Sequence, residues 1–175
     1  MAAPQSQGGL TLQIRRIFQA PREKVFAAWA EPDQLKQWMC GDVPSHIITQ
    51  HVQEIRTGGR WKTEIHDPAK NEIYWGRGVY REVTPPDRIV FTWHWAKGSP
   101  DGENMHPGSE ETVVAVEFFA RGNSTEVVLT HAVFSSEALR DDHNKGWNGC
   151  FDALEKLLAG CSRSGGDREI RRRNI

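Results

Sequence analysis

Trp147-Asn148-Gly149-Cys150-Phe151-Asp152-Ala153-Leu154-Glu155-Lys156-Leu157-Leu158-Ala159-Gly160 is the stretch on which the fold turns. Trp147, Cys150, Phe151, Leu154, Leu157 and Leu158 recur at steps of three and four residues, which puts them on one broad apolar stripe of a helix. Upstream, Ser135 or Ser136 can cap that helix, and Glu137 falls in its positive first turn. Gly160 stops it as a left-handed cap. Gly146 sits mid-helix, where glycine costs about 1 kcal/mol relative to alanine; a close approach to another backbone is the expected reason for it.

Everything between residues 47 and 131 reads as strand and turn. Ile47–Ile55 is one strand, closed by Gly58 and Gly59. Trp61, Thr63 and Ile65 alternate with Lys62, Glu64 and His66, and a turn at Asp67, Pro68 and Asn71 follows. Ile73–Val83 is a further strand, ended by Pro85, Pro86 and Asp87. Ile89, Phe91, Trp93 and Trp95 alternate with Val90, Thr92 and His94. A long loop, Ala96–Glu111, precedes the strand of Val114, Val116 and Phe118. Arg121, Gly122 and Asn123 turn it into the last strand, with Val127, Leu129 and His131 on one face. Short turns favour antiparallel pairing.

At the other end, Leu10, Leu12 and Ile14 alternate as a strand. Pro21 and Pro32 each stand where a first helical position belongs, because the missing N–H is no loss there. Two short helices follow, with Val25, Phe26 and Trp29 on one, and Leu35, Trp38 and Met39 on the other before Gly41. The order is strand, two helices, about six strands, long helix. This is an α+β fold in which one helix covers the inner face of a curved antiparallel sheet of six to seven strands. A single helix cannot fill such a sheet, so a residual cavity is expected between them.

Composition narrows the function. Lys and Arg number 22 against 23 Asp and Glu, a balance that gives no global attraction to nucleic acid or anionic membrane. Cys40, Cys150 and Cys161 are odd in number and show no CxxC spacing, which argues against a disulfide framework and against a zinc site and fits a reducing, cytoplasmic setting. The remaining histidines, His46, His51, His66, His94, His106 and His143, have no metal-ligand spacing either. Residues 1–9 read as a polar tail rather than a signal peptide, 10–160 as the domain, and 161–175 as a flexible basic tail. No apolar run approaches the roughly 20 residues that span a bilayer. No GxSxG, P-loop or GxGxxG is present, so neither a cofactor nor a nucleotide is expected; Gly76-Arg77-Gly78 lies inside a strand.

Several segments together resemble one family: Arg16–Trp29, Leu35-Lys36-Gln37-Trp38, Gly58-Gly59-Arg60-Trp61, Gly78–Trp93, Thr125–His131 and Gly146-Trp147. They are similar, in order and over about Leu10–Gly160, to the C-terminal domain of the activator of the heat-shock-protein-ninety ATPase. That domain belongs to the START-like superfamily, which includes the birch-pollen allergen. The resemblance implies the helix-grip fold. Stand-alone members of that superfamily are mostly binders of small molecules or lipids, and a minority are cyclases or aromatases. The co-chaperone's separate N-terminal domain has no expected counterpart here, since nine residues precede the first strand. The resemblance alone therefore does not carry a chaperone contact over.

The expected ligand is a small apolar or amphipathic molecule, held between the sheet and the helix with the Ala96–Glu111 loop as gate. The candidate binding residues are Arg16, Trp38, Trp61, Phe91, Trp93, Trp95, His131, Trp147 and Phe151. The indoles bring large apolar area with one donor each. His131 shares parity with Val127 and Leu129, and Arg16 with Leu12 and Ile14, so both point inward. The plainer readings are a satisfied buried histidine and a structural ion pair. Cys40 reads as a small buried hydrophobe rather than a nucleophile. Two alternatives stand beside binding. One is a cyclase-like enzyme, with His131 or Arg16 steering a polyketide-like substrate. The other is a protein-interaction role or homodimer, which calls for an apolar outer sheet face around Val90, Ala115 and Val128.

Overall fold

The computed structural model describes residues 9–41, 46–103 and 111–160. Cys161, His106 and the two expected tails, apart from Gly9, lie outside the described residues. The elements are β1 (Leu10–Phe18), α1 (Arg22–Ala30), α2 (Pro32–Trp38), β2 (Ile47–Gln53), β3 (Arg60–Asp67), β4 (Glu72–Thr84), β5 (Arg88–Lys97), β6 (Thr112–Arg121), β7 (Ser124–Phe134) and α3 (Glu137–Leu158). Their order is the one read from the sequence.

All seven strands form one antiparallel sheet in the order β1-β7-β6-β5-β4-β3-β2. Strands β2 to β7 run as a meander, and β1 returns beside the last of them. The helices α1 and α2 therefore carry the chain from one sheet edge to the other. On the concave side α3 packs on β1 and β7 and against α2. Ser136 caps it, its Oγ accepting from the Leu139 N–H at 3.2 Å. Its stripe of Trp147, Cys150, Phe151, Leu154 and Leu158 is buried. Phe18 meets Phe151 edge-on at 5.5 Å, and Phe26 meets Phe118 at 5.4 Å. Edge contacts of this kind add to the area that the rings bury.

Some expectations are corrected. Pro21 is the residue before α1 rather than its first helical residue, with extended φ and ψ. Gly146 faces open space, and no backbone approaches it. The close helix contact is at Gly41, where an added Cβ would lie 3.0 Å from the Gly149 carbonyl carbon. Beside it, the Cys150 thiol donates to the Met39 carbonyl at 2.6 Å. Burial pushes the Cys40 thiol up to about 12, which leaves it protonated and inert at neutral pH.

Two register shifts change which residues face inward. In β4 the shift falls between Tyr80 and Glu82, so Tyr80 and Val83 both face the core although one is even-numbered and the other odd. In the β1–β7 pair it falls between Leu10 and Leu12, opposite Val133, whose φ is +73°. This turns Phe134 inward beside His131.

The outer face over β1, β7 and β6 is mixed: Ile17 and Phe119 are exposed on either side of Glu126, among ion pairs. Arg15 and Arg121 both bind Glu126, and Arg88 bridges Glu82 and Glu117. Of the three residues expected to form an apolar outer patch, Val128 is buried and Val90 and Ala115 are half-buried.

Candidate ligand site

The concave face of β3, β4 and β5 presents Trp61, Tyr80, Phe91, Trp93 and Trp95 toward the helices, as strand parity requires. Gly76 lies between them. Its missing side chain leaves room for two indoles, because an added Cβ would sit 3.2 Å from the Trp61 ring and 3.4 Å from the Trp93 ring. Trp93 is the hub. Its ring lies 4.7 Å from Trp61, 5.1 Å from Trp95, 5.8 Å from Trp147 and 6.2 Å from Phe91. Trp147 in turn stacks on Trp29 at 6.0 Å, and Trp29 meets Trp38 at 4.6 Å. A continuous chain of aromatic rings thus crosses the interior from α2 to β3. The side chains expected to line a cavity touch one another.

His131 is 0 % exposed, and both its ring nitrogens are engaged. The Trp147 indole N–H donates to Nδ1 at 3.0 Å. Because an indole can only donate, Nδ1 is the unprotonated nitrogen. Nε2–H therefore donates to Thr112 Oγ1 at 2.7 Å, and that hydroxyl donates to the Trp93 carbonyl at 3.2 Å. The same logic holds at His143, which accepts from the Trp95 indole N–H at 3.0 Å and donates from Nδ1 to the Leu139 carbonyl at 2.8 Å. Burial, and then the neighbouring His143, hold the His131 imidazole well below its ordinary range. A neutral histidine with both nitrogens occupied is a structural connector between α3 and the sheet. It has no free nitrogen with which to act as an acid or base.

Arg16 points inward along the end of β1 and onto α3. Its guanidinium pairs with Asp152 at 2.5 Å, donates to Asn148 Oδ1 at 3.3 Å and lies 5.7 Å from the centre of the Phe151 ring. The structural ion pair is the arrangement seen. Trp38 is 0 % exposed, and its indole donates to the Ala28 carbonyl at 2.9 Å. Among the described residues, its ring contact with the rest of the set runs through Trp29. The structure thus brings Trp61, Phe91, Trp93, Trp95, His131, Trp147 and Phe151 together, and sets Arg16 and Trp38 at the margins.

Sequence reasoning missed Trp29, His143, Thr112 and Gln53. Gln53 accepts from the Tyr80 hydroxyl and donates to the Ala30 carbonyl at 2.7 Å, tying β2 and β4 to the end of α1. The step from His143 to Trp147 on one helix was a usable signal for His143; nothing local marked Gln53. Trp75 faces outward beside Lys62, whose ammonium lies 6.0 Å from its ring. The described part of the Ala96–Glu111 loop lies on the outer side of the sheet, away from the gate position. Asp101 pairs at 3.3 Å with the outward-facing Arg77.

Gly78 marks a break in the β4–β5 ladder. The Val79 N–H is taken by the Thr92 hydroxyl at 3.0 Å, while the Thr92 carbonyl accepts from the Trp61 indole at 3.2 Å. An added Cβ at Gly78 would lie 1.8 Å from that carbonyl oxygen and 2.6 Å from the indole nitrogen. Gly78→Ala is expected to part the two strands at a cost of about 1–3 kcal/mol. It should be read as a fall of several degrees in Tm; an unchanged Tm would show that the strands yield freely.

A seven-stranded antiparallel sheet gripping one long C-terminal helix, with an aromatic interior, is the helix-grip class of fold. The model of the family described as Activator of Hsp90 ATPase homolog 1-like protein matches residues 19–159, and the chain belongs to that family. A search of curated proteins found no match. Among solved structures, an uncharacterized protein from Rhizobium leguminosarum is similar at 22 % identity with a TM-score of 0.72, covering 87 % of this chain and 95 % of that one. The AHSA1 protein from Silicibacter pomeroyi is similar at 22 % identity and TM-score 0.72, over 86 % of this chain and 98 % of its own. A protein from Arthrobacter aurescens solved by NMR is similar at 19 % identity and TM-score 0.72, over 94 % of both chains. These likenesses show the fold. No described helix is long and apolar enough to cross a membrane.

Proposed function

We propose that this protein binds a small, flat, apolar or amphipathic molecule on the concave side of the sheet, between β3–β5 and α3. The observation that carries the reading is the Trp93 indole N–H. Trp93 is 7 % exposed and central to the ring cluster, yet its Nε1 has no hydrogen-bond partner. Trp29 Nε1 is in the same condition. A buried donor left unmet costs about 1–3 kcal/mol, and native interiors hold few of them. A ligand carrying a carbonyl, ether or hydroxyl oxygen would satisfy the donor while its rings replace ring–ring contacts. Trp95 is the only partly buried indole of the sheet cluster, held by one hydrogen bond to His143, so it is the natural door. Binding is favoured over chemistry because the one buried acid–base candidate, His131, is fully engaged.

The test is intrinsic tryptophan fluorescence and Tm against flavonoids, sterols, fatty acids and aromatic polyketides. A ligand held at 100 times its Kd adds about 2.7 kcal/mol of stability. The expected result is saturable quenching with a matching rise in Tm, weakened in Trp93→Phe, which keeps a ring and deletes the N–H. No response across the panel, or a response indifferent to Trp93→Phe, would overturn the reading.

A further inference from the structure

The outer face of the sheet carries a groove of about 680 Å³, on the side opposite α3. That volume lies within the range of small-molecule sites, roughly 300–1,000 Å³. Its walls are outward-facing residues of four adjacent strands, β2 to β5. Lys62 stands opposite Val52 on one side and opposite Arg77 on the other, and Arg60 stands opposite Val79. Asp101 and Glu111 form part of the rim. The floor is the ladder break at Gly78 and Thr92, through which the edge of the Trp61 indole also lines the groove.

Charge decides what such a groove takes. Its three carboxylates are already matched: Glu54 with Arg56, Asp101 with Arg77, and Glu111 with Arg81. Among the described residues, Arg60 and Lys62 have no carboxylate within ion-pair distance. Two uncompensated cations side by side in a concave site focus a positive potential. The Arg60 fork suits the paired oxygens of a carboxylate, sulfonate or phosphate. Val52 and Val79 are half exposed beside them and offer an apolar wall.

We infer that this groove is a second ligand site, separate from the concave face, which binds a small organic anion: the charged group on Arg60 and Lys62, and an apolar body along Val52 and Val79 over Trp61. It stands independently of the concave-face reading, because Arg60, Lys62 and Val79 lie on the outer face and take no part in that reading.

The experiment titrates the full chain with naphthalene-2-sulfonate and, separately, with uncharged 2-naphthol. Binding is followed by amide and indole N–H shifts in NMR, with Kd from calorimetry at low salt. The expected result is saturable binding of the sulfonate with shifts at Gly78, Val79 and the Trp61 indole. The R60E/K62E variant, altered only at exposed positions, should keep the parent's Tm and weaken the sulfonate at least about tenfold, since charge reversal turns attraction into repulsion. 2-Naphthol should not displace the sulfonate from these residues. Equal sulfonate affinity in R60E/K62E, shifts centred on Trp93 and Trp147 instead, or no saturable sulfonate binding would each overturn the inference.

Discussion

Replacing Trp147 by alanine should cost about 3–5 kcal/mol of stability, the range for deleting a large buried aromatic side chain. The indole is 5 % exposed, stacks on Trp29 and stands edge-on to Trp93. It also donates to His131 Nδ1, and among the described residues no other group does. Its removal therefore opens a cavity and leaves a buried acceptor unmet, which accounts for about 1–3 kcal/mol by itself. Trp147→Phe separates the two effects, because it keeps much of the ring while still orphaning His131. Urea denaturation with an unchanged m-value reads both losses. A loss below about 1 kcal/mol in Trp147→Ala would mean that the rings pack loosely around space already open to a ligand, contrary to the contacts described.

Acid should unfold the protein through His131. Burial and the His143 ring lower its affinity for protons in the folded state, while the unfolded chain titrates near the ordinary value of about 6.5. The unfolded state therefore binds more protons below about pH 6.5. Stability is full above that pH and falls as the pH drops toward the folded-state value, at about 1.4 kcal/mol per pH unit for the one site. The geometry supplies the reason: a proton on Nδ1 would face the Trp147 N–H, and two donors cannot bond each other. His51, also lowered by burial, adds in the same direction. The check is the urea-derived stability at pH 7.5, 6.5, 5.5 and 4.5 for the parent and for His131→Leu. The variant is weaker at neutral pH, but its decline between pH 6.5 and 4.5 should be clearly shallower than the parent's. Parallel declines would remove His131 as the acid-sensitive group.

How much was legible depended on the kind of information each residue carries. The helix stripe from Trp147 to Leu158, the alternation of Trp61 with Lys62, and that of Phe91 and Trp93 with Thr92 and His94 are local patterns, and each lies on the face its spacing required. The β4 face was not legible. Trp75 and Val79 share parity with Val83, yet the shift after Tyr80 sends Val83 inward and leaves the other two outside. A one-residue shift reverses every side chain beyond it, and no residue type announced it. Arg16 and His131 were readable as inward-pointing, but their roles depended on Asp152 and Trp147, partners 136 and 16 residues away.

The sequence by itself determined the order of elements, the family and the aromatic character of the interior. Those follow from period, turn chemistry and hydrophobic burial, which act over a few residues. Only the tertiary structure decided that the indoles fill the grip by touching one another, that His131 is neutral with both nitrogens bonded, and that a groove opens on the opposite face at Gly78. Each of these rests on distances between residues far apart in the chain, set by how one curved sheet closes around one helix.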